Sequence, residues 1–132
     1  MLRATVLIAD DSPDIRTIMK YALIDLGFLV VEAADGLEAV RLARQCRPAL
    51  ILLDLCMPGL DGWEVAARLR ADPALEEVPI IAMTAYDVSS AIRAAHTAGC
   101  QQVVSKPFDL HAVTRSITAL TSPADVFAPV YA

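Results

Sequence analysis

Short apolar runs alternate along this chain with longer segments whose apolar residues recur at helical spacing. Runs this short, rich in branched aliphatic residues and bounded by polar or turn-forming residues, predict buried strands. The segments between and after the runs predict five helices. We expect five strands, at residues 5–9, 28–33, 49–53, 79–83 and 102–104.

The first predicted helix has the clearest boundaries. Ser12 can cap its free amides, Pro13 suits its first position, and Gly27 can take the left-handed conformation that ends a helix. Between those residues, apolar side chains recur every three or four positions, which predicts one buried stripe. The stripe consists of Ile15, Ile18, Met19, Ala22, Leu23 and Leu26.

Four further helices are predicted after the later strands. The third is expected to end before Pro73, because the residue preceding a proline avoids helical angles. Gly99 is expected to stop the fourth helix, and Asp109 can cap the fifth. The expected spans are residues 35–46, about 61–72, 87–98, and from 109 onwards.

Alternating strands and helices predict an α/β fold, in which helices cover both faces of a doubly wound five-stranded parallel sheet. In such sheets, ligands bind beyond the carboxyl ends of the strands. A chain of 132 residues is expected to form one domain, here residues 1–121. Residues 122–132 contain two prolines and little periodicity, and are expected to form a C-terminal tail.

The composition indicates a globular protein and argues against nucleic-acid and membrane partners. Hydrophobic residues make up 56% of the chain and charged residues 20%, which excludes a disordered or fibrous protein. The formal net charge is -5 without any cluster of Lys and Arg, so direct nucleic-acid binding is not expected. Asp10 interrupts the first apolar run too early for a signal peptide or a membrane span, which predicts a cytoplasmic protein without a membrane partner. The odd number and wide spacing of Cys46, Cys56 and Cys100 predict free thiols.

Polar side chains stand where the predicted strands end. Asp10 and Asp11 follow the first strand, and Asp54 follows the third. Thr84 follows the fourth strand and Lys106 the fifth. Three carboxylates in one crevice repel one another unless a cation compensates them, and Mg²⁺ prefers such oxygen ligands. A lysine and a hydroxyl beside such an ion predict acyl-phosphate chemistry, in which an aspartate attacks phosphorus.

Four motifs, in this order and spacing, resemble the receiver domain of response regulators in two-component signalling. The resemblance covers roughly residues 5–120 and implies a flavodoxin-like sheet with strand order 2-1-3-4-5. No single motif is specific, but the combination is highly specific. The motifs are Ile8-Ala9-Asp10-Asp11, Leu52-Leu53-Asp54 followed by Met57-Pro58-Gly59-Leu60-Asp61-Gly62, Met83-Thr84-Ala85, and Ser105-Lys106-Pro107-Phe108.

The resemblance implies a metal site for Mg²⁺, or Mn²⁺ in its place. Asp11 and Asp54 would give carboxylate oxygens to the ion, and Asp10 would act on it largely through water. Cys56 would supply its backbone carbonyl, a role that does not involve its thiol.

The resemblance also implies a phosphoryl site beside the metal. Asp54 would be the phosphoacceptor, and Thr84 would bond a phosphoryl oxygen through its hydroxyl. The backbone of Ala85 would contact the phosphoryl group, and Lys106 would pair with it. A chain of this kind is a signalling phosphoacceptor that assists its own phosphorylation and dephosphorylation, and we do not expect an enzyme acting on a separate substrate.

The implied partners are a sensor histidine kinase or a histidine phosphotransfer protein, which donates the phosphoryl group, and an unidentified downstream protein. The chain itself is expected to be a monomer or a weak homodimer. Its phosphorylation is expected to switch the binding of the downstream partner.

One position departs from the family pattern. Receivers usually carry Tyr or Phe three residues before the lysine, and this chain has Val103. The departure motivates an alternative, a phosphorylation-independent interaction module with the same fold. A third alternative is a flavodoxin-like cofactor protein, but Asp10-Asp11-Ser12-Pro13 would repel a cofactor phosphate in the absence of a metal.

Overall fold

Five parallel strands form the centre of the protein. The computed structural model describes residues 4–57, 62–84, 99–100, 102–105 and 110–120. The strands are β1 (Thr5–Ala9), β2 (Leu29–Ala33), β3 (Leu50–Asp54), β4 (Ile80–Thr84) and β5 (Gln102–Ser105). Their order in the sheet is β2-β1-β3-β4-β5, and every neighbouring pair is parallel. This topology confirms the predicted fold class.

Helices cover both faces of the sheet. Among the described residues, the helices are α1 (Pro13–Asp25), α2 (Gly36–Cys46), α3 (Gly62–Ala71) and α4 (Leu110–Leu120). Side chains of α1 and α4 pack in one buried cluster with Val6 and Ile8 of β1, whereas those of α2 and α3 pack in a second cluster with Leu7 and Ala9. The alternation along β1 follows from the strand geometry, since successive side chains point to opposite faces.

The boundaries of α1 are those that the sequence predicts. The Ser12 hydroxyl accepts a hydrogen bond from the Ile15 amide at 3.3 Å, and Gly27 adopts a φ of 95° after the helix. The predicted buried stripe is wrong at Ile18, whose exposed fraction is 54%, although Met19 and Leu23 are fully buried. Ile18 lies on the solvent side of the helix because Met19, one position later, already faces the sheet.

Other boundaries differ from the predictions by one or two residues. Strands β3 and β4 each end one residue later than expected, so that Asp54 and Thr84 are the last residues of their strands. Asp35 is the N-cap of α2 rather than its first residue, and its carboxylate accepts a hydrogen bond from the Glu38 amide at 2.8 Å. The predicted helix at 87–98 and the tail at 122–132 lie outside the described residues.

The cysteines and the helices of the structure can be compared with two further expectations from the sequence. Cys46, Cys56 and Cys100 are not joined by disulfides, which agrees with the predicted thiols. No helix within the described part of the chain has both the length and the apolar character needed to cross a bilayer.

Candidate functional site

Three carboxylates meet at the carboxyl edge of the sheet. Asp10 directly follows β1 and Asp54 ends β3, and the register of these adjacent strands pairs Ala9 with Leu53. The aligned strand ends therefore bring Asp10 next to Asp54, while Asp11 extends from the following turn. Carboxylate oxygens of Asp10, Asp11 and Asp54 all lie within 4.8 Å of one another. The structure thus brings together the three predicted acidic residues.

Burial distinguishes the three carboxylates. Asp10 is completely buried and Asp54 retains only 2% of its exposure, whereas Asp11 is exposed. Asp10 and Asp54 are also the only buried charged residues in the part of the chain that the structure describes. The site therefore contains two buried carboxylates and is accessible to solvent beside Asp11.

Backbone amides orient the two buried carboxylates in the same way. The Ser12 amide donates to Oδ1 of Asp10 at 2.9 Å, and the Cys56 amide donates to Oδ1 of Asp54 at 3.0 Å. In both cases the donor is two residues further along the chain, a local bond that aspartate forms readily in turns. The exposed Cys56 thus contributes a backbone contact to Asp54, in addition to the carbonyl role predicted for it.

The backbone around Asp54 is held from both sides. The Leu55 amide donates to the Met83 carbonyl at 2.9 Å, and the Gly62 amide donates to the Leu55 carbonyl at 3.2 Å. A Cβ atom at Gly62 would lie 2.5 Å from Cα of Leu55 and 2.6 Å from the carbonyl oxygen of Asp54. Only glycine allows α3 to begin this close to the end of β3.

Arg16 is a residue that the sequence analysis missed. Its Nη1 donates to the backbone carbonyl of Asp10 at 2.7 Å, and its Nε donates to Oε1 of Glu32 at 3.3 Å. The sequence shows Arg16 and Lys20 four residues apart on one helix face, but it does not show that Glu32 of β2 lies opposite them. That placement depends on the β1–β2 register, which pairs Ile8 with Glu32.

The phosphoryl-binding residues predicted from the resemblance are only partly described. Thr84 ends β4 in register with Ser105 of β5, one residue beyond Met83, which pairs with Asp54. Its backbone is therefore at the same edge of the sheet as the acidic residues. Ala85 and Lys106 lie outside the described residues, as does the side chain of Thr84.

The residues of this site fit a hard divalent cation. The available donors are carboxylate oxygens from three residues, two of which are buried. Oxygen donors in this number suit Mg²⁺, which takes one or two carboxylates and completes its octahedron with water and phosphate oxygens. A cation would also relieve the repulsion among three like charges that lie within 4.8 Å of one another.

The family model and the curated relatives that match this chain indicate the same family. Residues 6–118 match the response regulator receiver domain. Sporulation initiation phosphotransferase F of Bacillus subtilis is 32% identical over 117 residues, which are 89% of this chain and 93% of that protein. The DNA-binding dual master transcriptional regulator RpaA of Synechocystis sp. is 33% identical over 120 residues, which are 91% of this chain and 50% of that protein. This chain spans about half the length of several curated relatives that it matches.

A solved structure extends the comparison to the fold. The receiver domain of sensor histidine kinase PA1611 from Pseudomonas aeruginosa PAO1 has a TM-score of 0.83 and 32% identity. The match covers 90% of this chain and 98% of that one, which holds a magnesium ion coordinated in its active site cleft. Sequence, topology and the acidic site agree, and the chain belongs to the response regulator receiver domain family of two-component signalling.

Proposed function

We propose that Asp54 accepts a phosphoryl group in a Mg²⁺-dependent reaction and that this modification switches the binding of a partner protein. The observation that carries the proposal is the position of Asp54. It is buried at the end of a central strand, its carboxylate lies within 4.8 Å of those of Asp10 and Asp11, and the site opens to solvent beside Asp11. A phosphoryl donor can therefore approach a carboxylate that the protein holds in one orientation.

Asp54 acts as the nucleophile in this proposal. The Cys56 amide holds Oδ1, which fixes the plane of the carboxylate. A carboxylate oxygen attacks the phosphorus of a phosphohistidine, a P–O bond forms, and the P–N bond breaks. The electron pair of that bond leaves on the imidazole nitrogen of the donor. The product is an acyl phosphate on Asp54.

The acidic residues of the site would hold the metal ion. We assign Asp11 and Asp54 as direct carboxylate ligands, Asp10 as a ligand through water, and the Cys56 carbonyl as the backbone ligand. Bound Mg²⁺, or Mn²⁺ in its place, would neutralise negative charge on the phosphoryl oxygens during transfer. The magnesium ion in the related kinase receiver domain supports this assignment.

Three further residues are proposed to contact the phosphoryl group. The Thr84 hydroxyl and the Ala85 amide would each bond one of its oxygens, and Lys106 would pair with it through its ammonium group. The place of Thr84 at the end of β4, beside the strand that ends in Asp54, supports this arrangement. Residues 1–121 would form the receiver and residues 122–132 a tail.

The proposed donor is a sensor histidine kinase or a histidine phosphotransfer protein. Relatives of this chain include a sporulation phosphotransferase and DNA-binding regulators, so the downstream partner is proposed as a protein of unidentified class. We further propose that the chain acts in the cytoplasm as a monomer or weak homodimer, without direct contact to nucleic acid or membrane.

Incubation with a small acyl phosphate and Mg²⁺ tests the proposal. Intact-mass spectrometry should show the gain of one phosphoryl group in the wild type and none in Asp54→Asn. Asp25→Asn, which changes an exposed aspartate at the end of α1, serves as the matched control and should be labelled like the wild type. Chelation of Mg²⁺ should prevent labelling of the wild type and of Asp25→Asn.

Two outcomes would contradict the proposal. Labelling of Asp54→Asn at the wild-type level would show that another residue accepts the phosphoryl group. A wild-type protein that takes up no phosphoryl group, from the acyl phosphate or from a panel of phosphorylated histidine kinases, would favour the phosphorylation-independent module motivated by Val103.

A further inference from the structure

We infer that Arg16 is a positioning residue for the metal site and that Glu32 holds the Arg16 guanidinium in place. The inference rests on the proposed function in that it assigns Mg²⁺ to the acidic residues. Arg16 does not touch the proposed ion. It acts through Asp10, whose main chain it holds at the end of β1.

The contacts of Arg16 join three elements. Nη1 donates to the Asp10 carbonyl beyond β1 at 2.7 Å, and Nε donates to Oε1 of Glu32 on β2 at 3.3 Å. Arg16 itself lies in α1, so one guanidinium connects the helix, the edge strand and the turn that carries two acidic residues. A planar guanidinium has donors in a fixed fork, so both contacts set its orientation at once.

These contacts differ from an ordinary surface ion pair. The side chain of Arg16 is only 17% exposed, whereas that of Lys20 is 42% exposed. Lys20 contacts the other oxygen of Glu32 at 3.7 Å, a longer separation. Lys20 therefore shares the acidic partner of Arg16 without making the short contact to Asp10. This difference makes Lys20 a natural control for Arg16.

Arg16 supplies one of the contacts that hold Asp10. The Asp10 amide donates to the Ala33 carbonyl at 3.1 Å, and Oδ1 accepts from the Ser12 amide at 2.9 Å. The Arg16 bond fixes the remaining carbonyl, and with it the peptide plane between Asp10 and Asp11. Loss of this bond would let that plane rotate, and both acidic side chains next to it would move.

The sign of the effect on Mg²⁺ affinity separates positioning from simple electrostatics. Arg16 carries a positive charge near a cation site, so removal of the charge alone should tighten Mg²⁺ binding. Loss of positioning should weaken Mg²⁺ binding, since removal of a residue that orients metal ligands commonly lowers metal affinity by about 10- to 100-fold. We expect Arg16→Gln to weaken Mg²⁺ binding about tenfold.

The experiment measures Mg²⁺ affinity by isothermal titration calorimetry for the wild type, Arg16→Gln, Arg16→Lys, Glu32→Gln and Lys20→Gln. Lys20→Gln removes the same unit charge from the same helix face and should bind Mg²⁺ as tightly as the wild type or slightly more tightly. Arg16→Lys keeps the charge but lacks the fork, so it should bind more weakly than the wild type. Glu32→Gln should show a smaller loss than Arg16→Gln.

A second readout does not depend on the metal. The amide proton of Ser12 reports the hydrogen bond to the Asp10 carboxylate. Its NMR chemical shift in the metal-free protein should change in Arg16→Gln and stay unchanged in Lys20→Gln. Amide spectra of the variants also establish that each is folded. Should Arg16→Gln fail to fold, the Mg²⁺ affinities and Ser12 amide shifts of Arg16→Lys and Glu32→Gln test the inference in its place.

A double-variant comparison tests whether Arg16 acts through Asp10. In the Asp10→Asn background, Arg16→Gln should cost much less Mg²⁺ affinity than in the wild type, because the carboxylate it positions is gone. Equal or tighter Mg²⁺ binding by Arg16→Gln, or an unchanged Ser12 amide, would overturn the inference. Failure of the wild type to bind Mg²⁺ would instead contradict the proposed function. The chemical shift of the Ser12 amide would in that case still test whether Arg16 positions Asp10.

Discussion

The backbone of Gly62 lies against the carbonyl of Asp54, so closely that a Cβ atom at residue 62 would stand 2.6 Å from that oxygen. The start of α3 and the proposed phosphoacceptor are therefore packed as one unit. The Gly62 amide also donates to the Leu55 carbonyl at 3.2 Å, which holds the turn after Asp54 in place.

This contact predicts that Gly62→Ala is destabilising. The added methyl group must displace main-chain atoms of Asp54 and Leu55, which have no flexible side chain to yield, and overpacking of this kind costs about 1–3 kcal/mol. Chemical denaturation should show the loss, and phosphoryl uptake from a small acyl phosphate should slow as Asp54 shifts. An unfolding midpoint and a labelling rate equal to those of the wild type would contradict the prediction.

Mg²⁺ is expected to stabilise the fold, because it removes the repulsion among Asp10, Asp11 and Asp54 in the native state only. At a free concentration ten times the dissociation constant, linkage gives a gain of about 1.4 kcal/mol. Thermal denaturation with and without Mg²⁺ measures the gain. It should largely disappear in Asp11→Asn and decrease less in Asp10→Asn, which we assign to a contact through water. A melting temperature indifferent to Mg²⁺ would argue against the metal site.

Arg70 is predicted to be a major structural residue of the face opposite to Arg16. Its guanidinium donates to the carbonyls of Leu75 at 2.9 Å, Glu76 at 3.0 Å and Val78 at 2.6 Å, and to Gly99 at 2.8 Å. Removal of the donors would leave the carbonyls of Leu75, Val78 and Gly99 without these part-buried bonds, whereas water can replace the exposed bond to the Glu76 carbonyl. Since a hydrogen bond to a charged group contributes about 1.5–3 kcal/mol, we expect Arg70→Met to lose about 2–4 kcal/mol.

Two variants make the Arg70 test specific. Arg68→Met removes an exposed arginine from the same helix and should change stability by less than about 0.5 kcal/mol. Arg70→Lys keeps the charge but cannot reach several carbonyls at once, so it should resemble Arg70→Met more than the wild type. Equal unfolding free energies for Arg70→Met and Arg68→Met would refute the proposed role.

Cys100 should make stability depend on pH in the alkaline range. Burial raises the pKa of its thiol from 9.0 to about 11, although the positive charge of Arg70 opposes the increase. Because the folded state favours the neutral thiol, its contribution is fully present below about pH 9 and is lost as the pH rises towards 11. Two pKa units correspond to about 2–3 kcal/mol at most.

The comparison with Cys100→Ala isolates this contribution, since every other titratable group is present in both proteins. The wild type should lose more unfolding free energy between pH 9 and 11 than the variant does. A thiol reagent at pH 8 should modify the exposed Cys56 rapidly and the buried Cys100 only slowly. Parallel pH profiles of the two proteins would contradict the raised pKa.

Much of the fold could be predicted from residue patterns, because those patterns are local. The cap at Ser12, the stop at Gly27 and the apolar run of β3 each act within a few residues. The structure has the cap and the stop where they were expected, and β3 shifted by one residue. Ile18 is the exception. Its spacing fits the apolar stripe of α1, yet it faces solvent, because the packing of the helix, with Met19 towards the sheet, decides which residues of the stripe are buried.

The sequence alone determined the acidic trio, since Asp10, Asp11 and Asp54 occupy strand ends that parallel topology must bring to one edge. Tertiary structure decided how the trio is held. The approach of Gly62 to Asp54 and the contact of Arg16 with the Asp10 carbonyl join residues that are distant along the chain. Such contacts depend on strand register and helix placement, which are fixed by the packing of the whole core rather than by any local run of residues.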